Sequence, residues 1–443
     1  MLHFVIITHG SKQRQTEAGK PVVHGERKIF MPKQEILRNY ARLLIRTGCA
    51  LKPGQELLLT APVEAAPFAR LVAEEAWNAG SGDVTVEWAD QPVNRLRYLH
   101  ADAKAFEAVP MWKRTLLNGA AERGAAILTL EGDDPDGMAG IDPARFTAWA
   151  RASHRDCKPF YDGMDLGRNV WCIAGAATPA WAKKVFPNCS ESDAEEKLWE
   201  AILYTARADG PDPARAWADH SAAFQARIKL LNEKGFDSLR YTAPNGTNFT
   251  VGMNPRHIWA GGGAETVDGT WFFPNMPTEE IFTSPHRDRA DGVVYSALPL
   301  NYRGGMIEDF WIRFEHGEAV DCGARVGLDR LKSILDTDKG ARHLGEVALV
   351  PHASPIAQSG ILFYSTLYDE NAACHLALGK GFPECVEGGL EMDEATLALH
   401  HINLSATHVD FMIGTADLSI TGISADGSET QVFRNGNWAG EFA

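Results

Sequence analysis

A change of rhythm at Gly210-Pro211-Asp212-Pro213 limits how this chain can fold. Upstream, apolar runs short enough for buried strands alternate with stretches of helical spacing, the pattern of an open, mostly parallel sheet packed by helices. The strands fall at Glu56 to Thr60, Val84 to Trp88, Ala125 to Leu130 and Asn169 to Ala174. Between them, a helix from Ile36 to Leu44 is stopped by Lys52-Pro53-Gly54, an Ala-rich helix through Phe68, Leu71 and Val72 ends at Gly80, and one helix spans residues 93 to 122. Ser192 with Glu195 makes a capping box for a helix through Leu198, Ile202 and Leu203.

Downstream, a helix from Ala214 to Glu233 leads into a different texture. Ser238 to Thr242 and Asn248 to Val251 flank Asn245-Gly246 and read as a hairpin. Further β-like runs, Gly292 to Ala297, Asp309 to Phe314 and Ala319 to Cys322, are joined by Gly-rich turns, with a helix from Leu328 to Leu335. The expected fold class is α/β: an N-terminal open, mostly parallel α/β domain over 31–212, then a β-rich α+β catalytic domain over 213–443. Residues 1–30 carry no periodicity and read as an extension or tail, with Met31 as a second start.

Charge narrows the partners. Lys and Arg number 43 against 58 Asp and Glu, a net charge of −15. Such a chain repels a phosphate backbone, and no Lys/Arg stripe offsets the repulsion, so nucleic acid is excluded as a partner. No uncharged apolar run approaches the ~18 to 20 residues of a membrane helix. The short patch Phe4-Val5-Ile6-Ile7 has no basic run before it, so no secretory leader is expected and the cytoplasm is the expected compartment. Seven cysteines, odd in number, scattered and never spaced CxxC, read as reduced thiols.

The chemistry concentrates late in the chain. Thr407-His408-Val409-Asp410-Phe411-Met412-Ile413 alternates as a strand, so His408 and Asp410 share one face and Val409 and Phe411 the other. Alone, that pair reads equally well as a satisfied hydrogen bond in a core. It has company: Asp369, Glu370 and His375 lie within seven residues, Glu346 leads into Val347-Ala348-Leu349-Val350, and Glu279-Glu280 follows Asn275-Met276-Pro277-Thr278. Two histidines with three or four carboxylates and no thiolate pair is a donor mix for Zn²⁺, Mn²⁺, Co²⁺ or Mg²⁺. Cys374, next to His375 on an extended segment, faces away from it.

Other chemistries are weaker. The sequence has no GxSxG elbow and no HExxH, and Gly261-Gly262-Gly263 runs into Ala264-Glu265 instead of a helix start, which argues against phosphate binding. Metal-assisted hydrolysis is the leading class. His352, beside Pro351, and Arg434, within Phe433-Arg434-Asn435-Gly436, are further candidates to orient or pair with a ligand carboxylate.

From Met31 onward the chain resembles the thermophilic-type metallo-aminopeptidases, the family of aminopeptidases T, S and II. The resemblance is carried by LKPGQELLLTAPVEAAPFARLVAEEAWNAG, NMPTEEIFTSP, GEVALVPHASPIAQSGILFYSTLYDENAACHLALG, HVDFMIG and VFRNGNWAG, in that order. It implies a homodimeric exopeptidase that takes peptide substrates with a free N-terminus and uses two divalent metal ions per subunit. As metal ligands it implies Glu280, Glu346, His375, His408 and Asp410. One position departs: the family's tyrosine in HLALGxxYP falls on Phe382.

Five side chains for two ions imply a bridging carboxylate, and the resemblance assigns that role to Glu346. Glu370, five residues before His375 and outside the implied ligand set, is the expected catalytic general base, with Asp369 in reserve. Two other readings stay open. Phe382 motivates a homologue that keeps the fold with weakened or lost catalysis, and the same donors would serve a metal-dependent hydrolase of another small amide.

Overall fold

The computed structural model describes residues 33–302 and 304–443; the tail expected over residues 1–30, and Met31 with it, lie outside them. The four strands expected in the first half form as Glu56–Pro62, Asp83–Ala89, Ala126–Glu131 and Trp171–Gly175, all parallel. Their order across the sheet is third strand between first and fourth, with Asp83–Ala89 at one edge. The other edge is closed by Asn275–Met276, which runs parallel to Trp171–Gly175 although it lies a hundred residues later in the chain.

The apolar core under this sheet also takes residues from both halves. Tyr40, Leu44, Leu59, Val72, Leu128 and Trp181 pack with Met276, Phe363 and Tyr368. The rhythm change at 210–213 therefore does not divide the core. Locally it does what its residues dictate: Asp212 caps Pro213–Lys234 by accepting from the Arg215 amide, and Gly235 ends that helix in the left-handed region.

Two local expectations are corrected. The helix expected over 93–122 is three pieces, Gln91–His100, a 3₁₀ turn Ala103–Phe106 and Met111–Glu122, because Pro110 has no amide to continue a helix and instead precedes the first turn of the last piece. The cap of Glu191–Thr205 is Ser190, whose hydroxyl accepts from the Asp193 amide at 3.2 Å, and not Ser192.

The second half builds two large antiparallel sheets, besides the two-stranded pair Ala264–Glu265 with Trp271–Phe272. The larger contains the expected hairpin, Ser238–Thr242 with Asn248–Met253, extended by Pro285–Tyr295, Met306–Glu315 and Glu318–Val326 on one side and by Ser419–Ile423 and Glu429–Arg434 on the other. The smaller has five strands in the order His408–Met412, His375–Gly379, Leu344–Leu349, Ile281–Thr283, Ala260–Gly261. Val347, Leu349, Leu376, Leu378, Val409 and Phe411 of the small sheet share one buried core with Phe249, Val251, Phe310 and Ile312 of the large one. That leaves the opposite face of the small sheet for something other than apolar packing. No helix among the described residues is long and apolar enough to cross a membrane.

Candidate metal centre

The polar face of the small sheet is set by register. Ala377 lies opposite Glu346 on one neighbour and opposite Asp410 on the other, so these three form a row across three strands. His375 is two residues before Ala377, and His408 two before Asp410, which puts both imidazoles on the same face as the row. Ala348 and Gly379, opposite His375 and His408, are small and leave space above the sheet.

Glu346 reaches this face only through an irregularity. Leu344, two residues earlier on the same strand, would share its face in a regular ladder, yet Leu344 belongs to the apolar core. The register slips between them, Leu344 pairing with Leu378 and Glu346 with Ala377. Gly345 sits at the slip, where a Cβ would fall 2.2 Å from the Lys380 carbonyl oxygen and 2.4 Å from that of Gly379. Only glycine fits that approach.

Glu280 comes from the sheet's edge, immediately before Ile281, which pairs with Leu349. Gly261 pairs with Ile281 on the far side, and a Cβ there would lie 2.4 Å from the Glu280 carbonyl oxygen. The Gly261-Gly262-Gly263 run thus lets one strand approach the backbone that presents Glu280.

The five side chains converge as two triplets that share a member. Potential ligand atoms of Glu280, Glu346 and His375 lie within 4.8 Å of one another, and so do those of Glu346, His408 and Asp410. His375 Nε2 is 3.1 Å from Glu280 Oε2 and 3.9 Å from Glu346 Oε1; His408 Nε2 is 3.1 Å from Glu346 Oε2 and 3.2 Å from Asp410 Oδ1. Glu346 therefore turns one oxygen to each triplet. At the far side of each ring, Nδ1 faces a backbone carbonyl, Ala373 O at 3.1 Å for His375 and Lys380 O at 2.7 Å for His408. A protonated Nδ1 donating to those carbonyls leaves Nε2 with its lone pair aimed at the carboxylates, the tautomer a metal-ligating histidine uses.

This set fits divalent ions. It is all oxygen and imidazole nitrogen, it carries three carboxylates, and Asp410 Oδ1, buried, has no hydrogen-bond partner even though His408 stands near it. Electrostatics agree. By themselves these side chains hold protons where cations would serve. Burial works against protonated His375 and His408, yet the Glu280, Glu346 and Asp410 carboxylates outweigh it and hold both imidazoles well above their ordinary range. Burial, with Asp410 adding to it, pushes Glu346 up to about 7 against the opposing His408 contact. Burial raises Asp410 too, but His408 overcomes it and leaves that carboxyl at about 2.

The remaining candidates sort out around this centre. Glu370, in the turn Glu370–Ala372, belongs to neither triplet; burial holds its proton well above the ordinary carboxylate range, and Glu280, Asp410 and Glu346 add to that. Asp369 is buried elsewhere, accepting from the Phe363 amide at 2.8 Å. The Phe382 ring packs on His408 at 4.8 Å between centroids and on Phe282 at 5.5 Å. His352 is a backbone anchor, its amide donating to Gly436 O and its carbonyl accepting from Gln358 Nε2, both at 2.7 Å. Arg434 lies exposed at the end of a strand of the large sheet. Neither joins the two triplets.

Sequence reasoning missed the residues that separate the two adjacent glutamates. Glu279 points away from the triplets into a bidentate ion pair with Arg207, with His220 Nε2 3.8 Å from Glu279 Oε2. The Glu279 amide donates to Asn371 Oδ1 at 2.6 Å, and Asn371 Nδ2 donates to Leu367 O at 2.8 Å, so Asn371 ties the turn bearing Glu280 to the turn bearing Glu370. Asn371 was visible inside the DENA motif; Arg207, 72 residues from its partner, had no local signal.

An α/β protein with paired carboxylate–histidine triplets on one sheet face has, in those donors, the makings of a divalent-metal protein. The family model described as thermophilic metalloprotease (M29) matches residues 33–438, and the chain belongs to that family. It is 43% identical over 407 residues to aminopeptidase 2 of Geobacillus stearothermophilus, covering 92% of this chain and 98% of that protein. It is 41% identical over 404 residues to aminopeptidase T of Thermus aquaticus, covering 91% and 98%. The solved structure of wild-type AmpT from Thermus thermophilus superimposes with a TM-score of 0.86 at 39% identity, covering 92% of this chain and all of that one.

Proposed function

We propose that this chain is a metal-dependent aminopeptidase that releases the first residue of peptides at a dinuclear site. The observation that carries the reading is Glu346, whose two oxygens face two separate donor triplets. Glu280 and His375 would hold one ion, His408 and Asp410 the other, with Glu346 between them. Divalent ions there supply Lewis-acid polarisation of a carbonyl and activation of water.

The chain's own groups do the rest. Glu370 stands beside both triplets without belonging to either, the position of a general base that takes a proton from the attacking water and passes it to the leaving amine. Asn371 positions the Glu280 and Glu370 turns relative to each other through one side-chain amide. Both imidazole Nδ1 atoms are occupied by backbone carbonyls, so the rings are held in place before substrate arrives. A homodimer in the cytoplasm completes the reading, supported by the family membership and by seven cysteines that are all free.

The direct test is metal-loaded protein offered aminoacyl-anilides and short peptides, free and N-acetylated. Release of single residues from the free substrates alone is expected; no release from any unblocked peptide would sink the proposal. Phe382 favours one second reading, a homologue with weakened catalysis, because an apolar ring occupies the place beside His408.

A further inference from the structure

We propose that the crevice at the carboxyl ends of the parallel strands binds an organic cation, a guanidinium or ammonium group on an aliphatic stem, through Glu131 and Asp133 with Asn301 as a further acceptor. The sheet order places a topological switch there. From Glu56–Pro62 the chain crosses to Asp83–Ala89 on one side, then returns to Ala126–Glu131 on the other. The loops leaving the two central strands therefore part, and the gap opens at their carboxyl ends, where open α/β sheets take their ligands. Here the gap is a cleft of about 470 Å³. Pro62 and Glu131, the last residues of the two strands, line it, and Asn301, Tyr364 and Ser365 wall it from the second half of the chain.

The lining calls for a positively charged donor. Asn301 Oδ1 is buried and has no hydrogen-bond partner. Glu131 accepts from a neutral hydroxyl, Ser365 Oγ at 3.0 Å. Burial holds the Glu131 carboxyl above its ordinary range, against the Ser365 contact and with Asp133 adding to it. Burial does the same to Asp133, helped by Glu64 and Asp134, and no cation among the described residues opposes either shift. Two cations stand nearby and both are engaged: Lys184 Nζ is 2.7 Å from Asp136 Oδ2 and lies over the Tyr364 ring, and Arg95 donates to the Gly137 and Ala139 carbonyls. An orphaned acceptor and unmatched carboxyls in one cleft are what a guanidinium or ammonium satisfies together. Trp181 and Tyr364 add apolar lining for the stem, which a bare ion would not use.

The cleft lies along the same sheet edge as the buried centre. Trp171–Gly175 separates the strand of Glu131 from Asn275–Met276, which runs parallel to both and continues towards Glu280. At ~4.8 Å per strand the two are about 10 Å apart, about three residues of extended peptide. Ser365 O accepts the Asp369 amide at 2.9 Å, so the single turn Thr366–Asp369 joins the cleft to Glu370. A basic side chain a few residues into a peptide substrate, or a free basic amino acid, carries the required chemistry. The peptide case rests on the aminopeptidase reading; the free ligand does not.

The probe is Nα-acetyl-L-arginine amide, which has no free amine for the buried centre, titrated into the full chain by calorimetry with Nα-acetyl-L-citrulline amide as the uncharged control. Saturable binding of the arginine probe is expected, about tenfold tighter than the control and weakened about tenfold in Glu131→Gln and in Asp133→Asn. Equal affinity for the two probes, or affinity unchanged in both variants, would overturn the site whether or not the chain hydrolyses peptides. The source is read from turnover. If a peptide supplies the cation, tetrapeptides with arginine at the third or fourth position have a lower KM than their citrulline counterparts at similar kcat, and Glu131→Gln removes the difference. If a free amino acid supplies it, L-arginine shifts the hydrolysis of a neutral peptide by the parent and not by Glu131→Gln. Neither effect, in a chain that does hydrolyse peptides, would overturn both sources.

Discussion

Glu279 and Glu280 are neighbours in sequence and both are buried, yet their charges are met in opposite ways. Glu279 faces a cation built into the chain, Arg207, and the pair closes on itself. Glu280 faces a sheet with two more carboxylates, where the ion pairs of Glu280, Glu346 and Asp410 among the described residues are to histidines alone. A buried carboxylate without a fixed cation either keeps its proton or takes a metal. The first region is finished by folding; the second, in the function proposed above, is finished by an ion.

The sharpest probe of that contrast is Glu370→Gln. If Glu370 is the base and not a ligand, turnover falls about 10²- to 10⁴-fold while the metal content, read by atomic emission, is unchanged. Loss of an ion with the activity would move Glu370 into the metal set. Next in size is Arg207→Met, which strands Glu279 in the interior. It is expected to cost about 3 to 5 kcal/mol in urea unfolding, by the same amount with and without chelator. A loss of about 1 kcal/mol or less, as for an exposed pair, would break the comparison.

Phe382→Tyr tests whether the second region lacks a group the family supplies. A rise of about 10- to 100-fold in kcat/KM at constant metal content fits a supporting hydroxyl. Recovery from no measurable rate would instead identify a lapsed enzyme, and no change would show that the phenol is dispensable here. The smallest effect concerns Asp369, which burial pushes up to about 7 from an ordinary 3.8. Below pH ~4 the folded and unfolded chains both hold this proton; between about 4 and about 7 the unfolded chain releases it first, so stability falls as pH rises. Asp369→Asn is expected to flatten that fall and to gain about 2 kcal/mol at pH 7, read from thermal unfolding across the range.

Much of this was legible in the sequence for a physical reason. Period-two alternation from His408 to Phe411 places His408 and Asp410 on one face, and the family resemblance of the DENAxCH and GEVALVP motifs points to His375 and Glu346, which the strand register brings to that same face. The parallel sheet was legible through its continuous apolar strands. Three things were not. Asn275–Met276 is too short to register as a strand, and nothing local says that it completes a sheet begun at Glu56. Arg207 acts at long range, from a residue with φ +53° just past a helix end, where an exposed arginine is the ordinary expectation. The slip at Gly345 inverts the alternation rule itself: counting by twos from Leu344 would put Glu346 in the apolar core.

That slip also decides what can be transplanted. A designer who copied the five side chains onto a regular antiparallel sheet would reproduce the composition of the centre and bury Glu346, the member common to both triplets, among leucines. The portable unit is larger: a glycine without room for a side chain, one extra residue in one strand, and small residues opposite the histidines. Divergence obeys the same rule, since deleting a single residue between Leu344 and Glu346 would turn the carboxylate common to both triplets into a core defect.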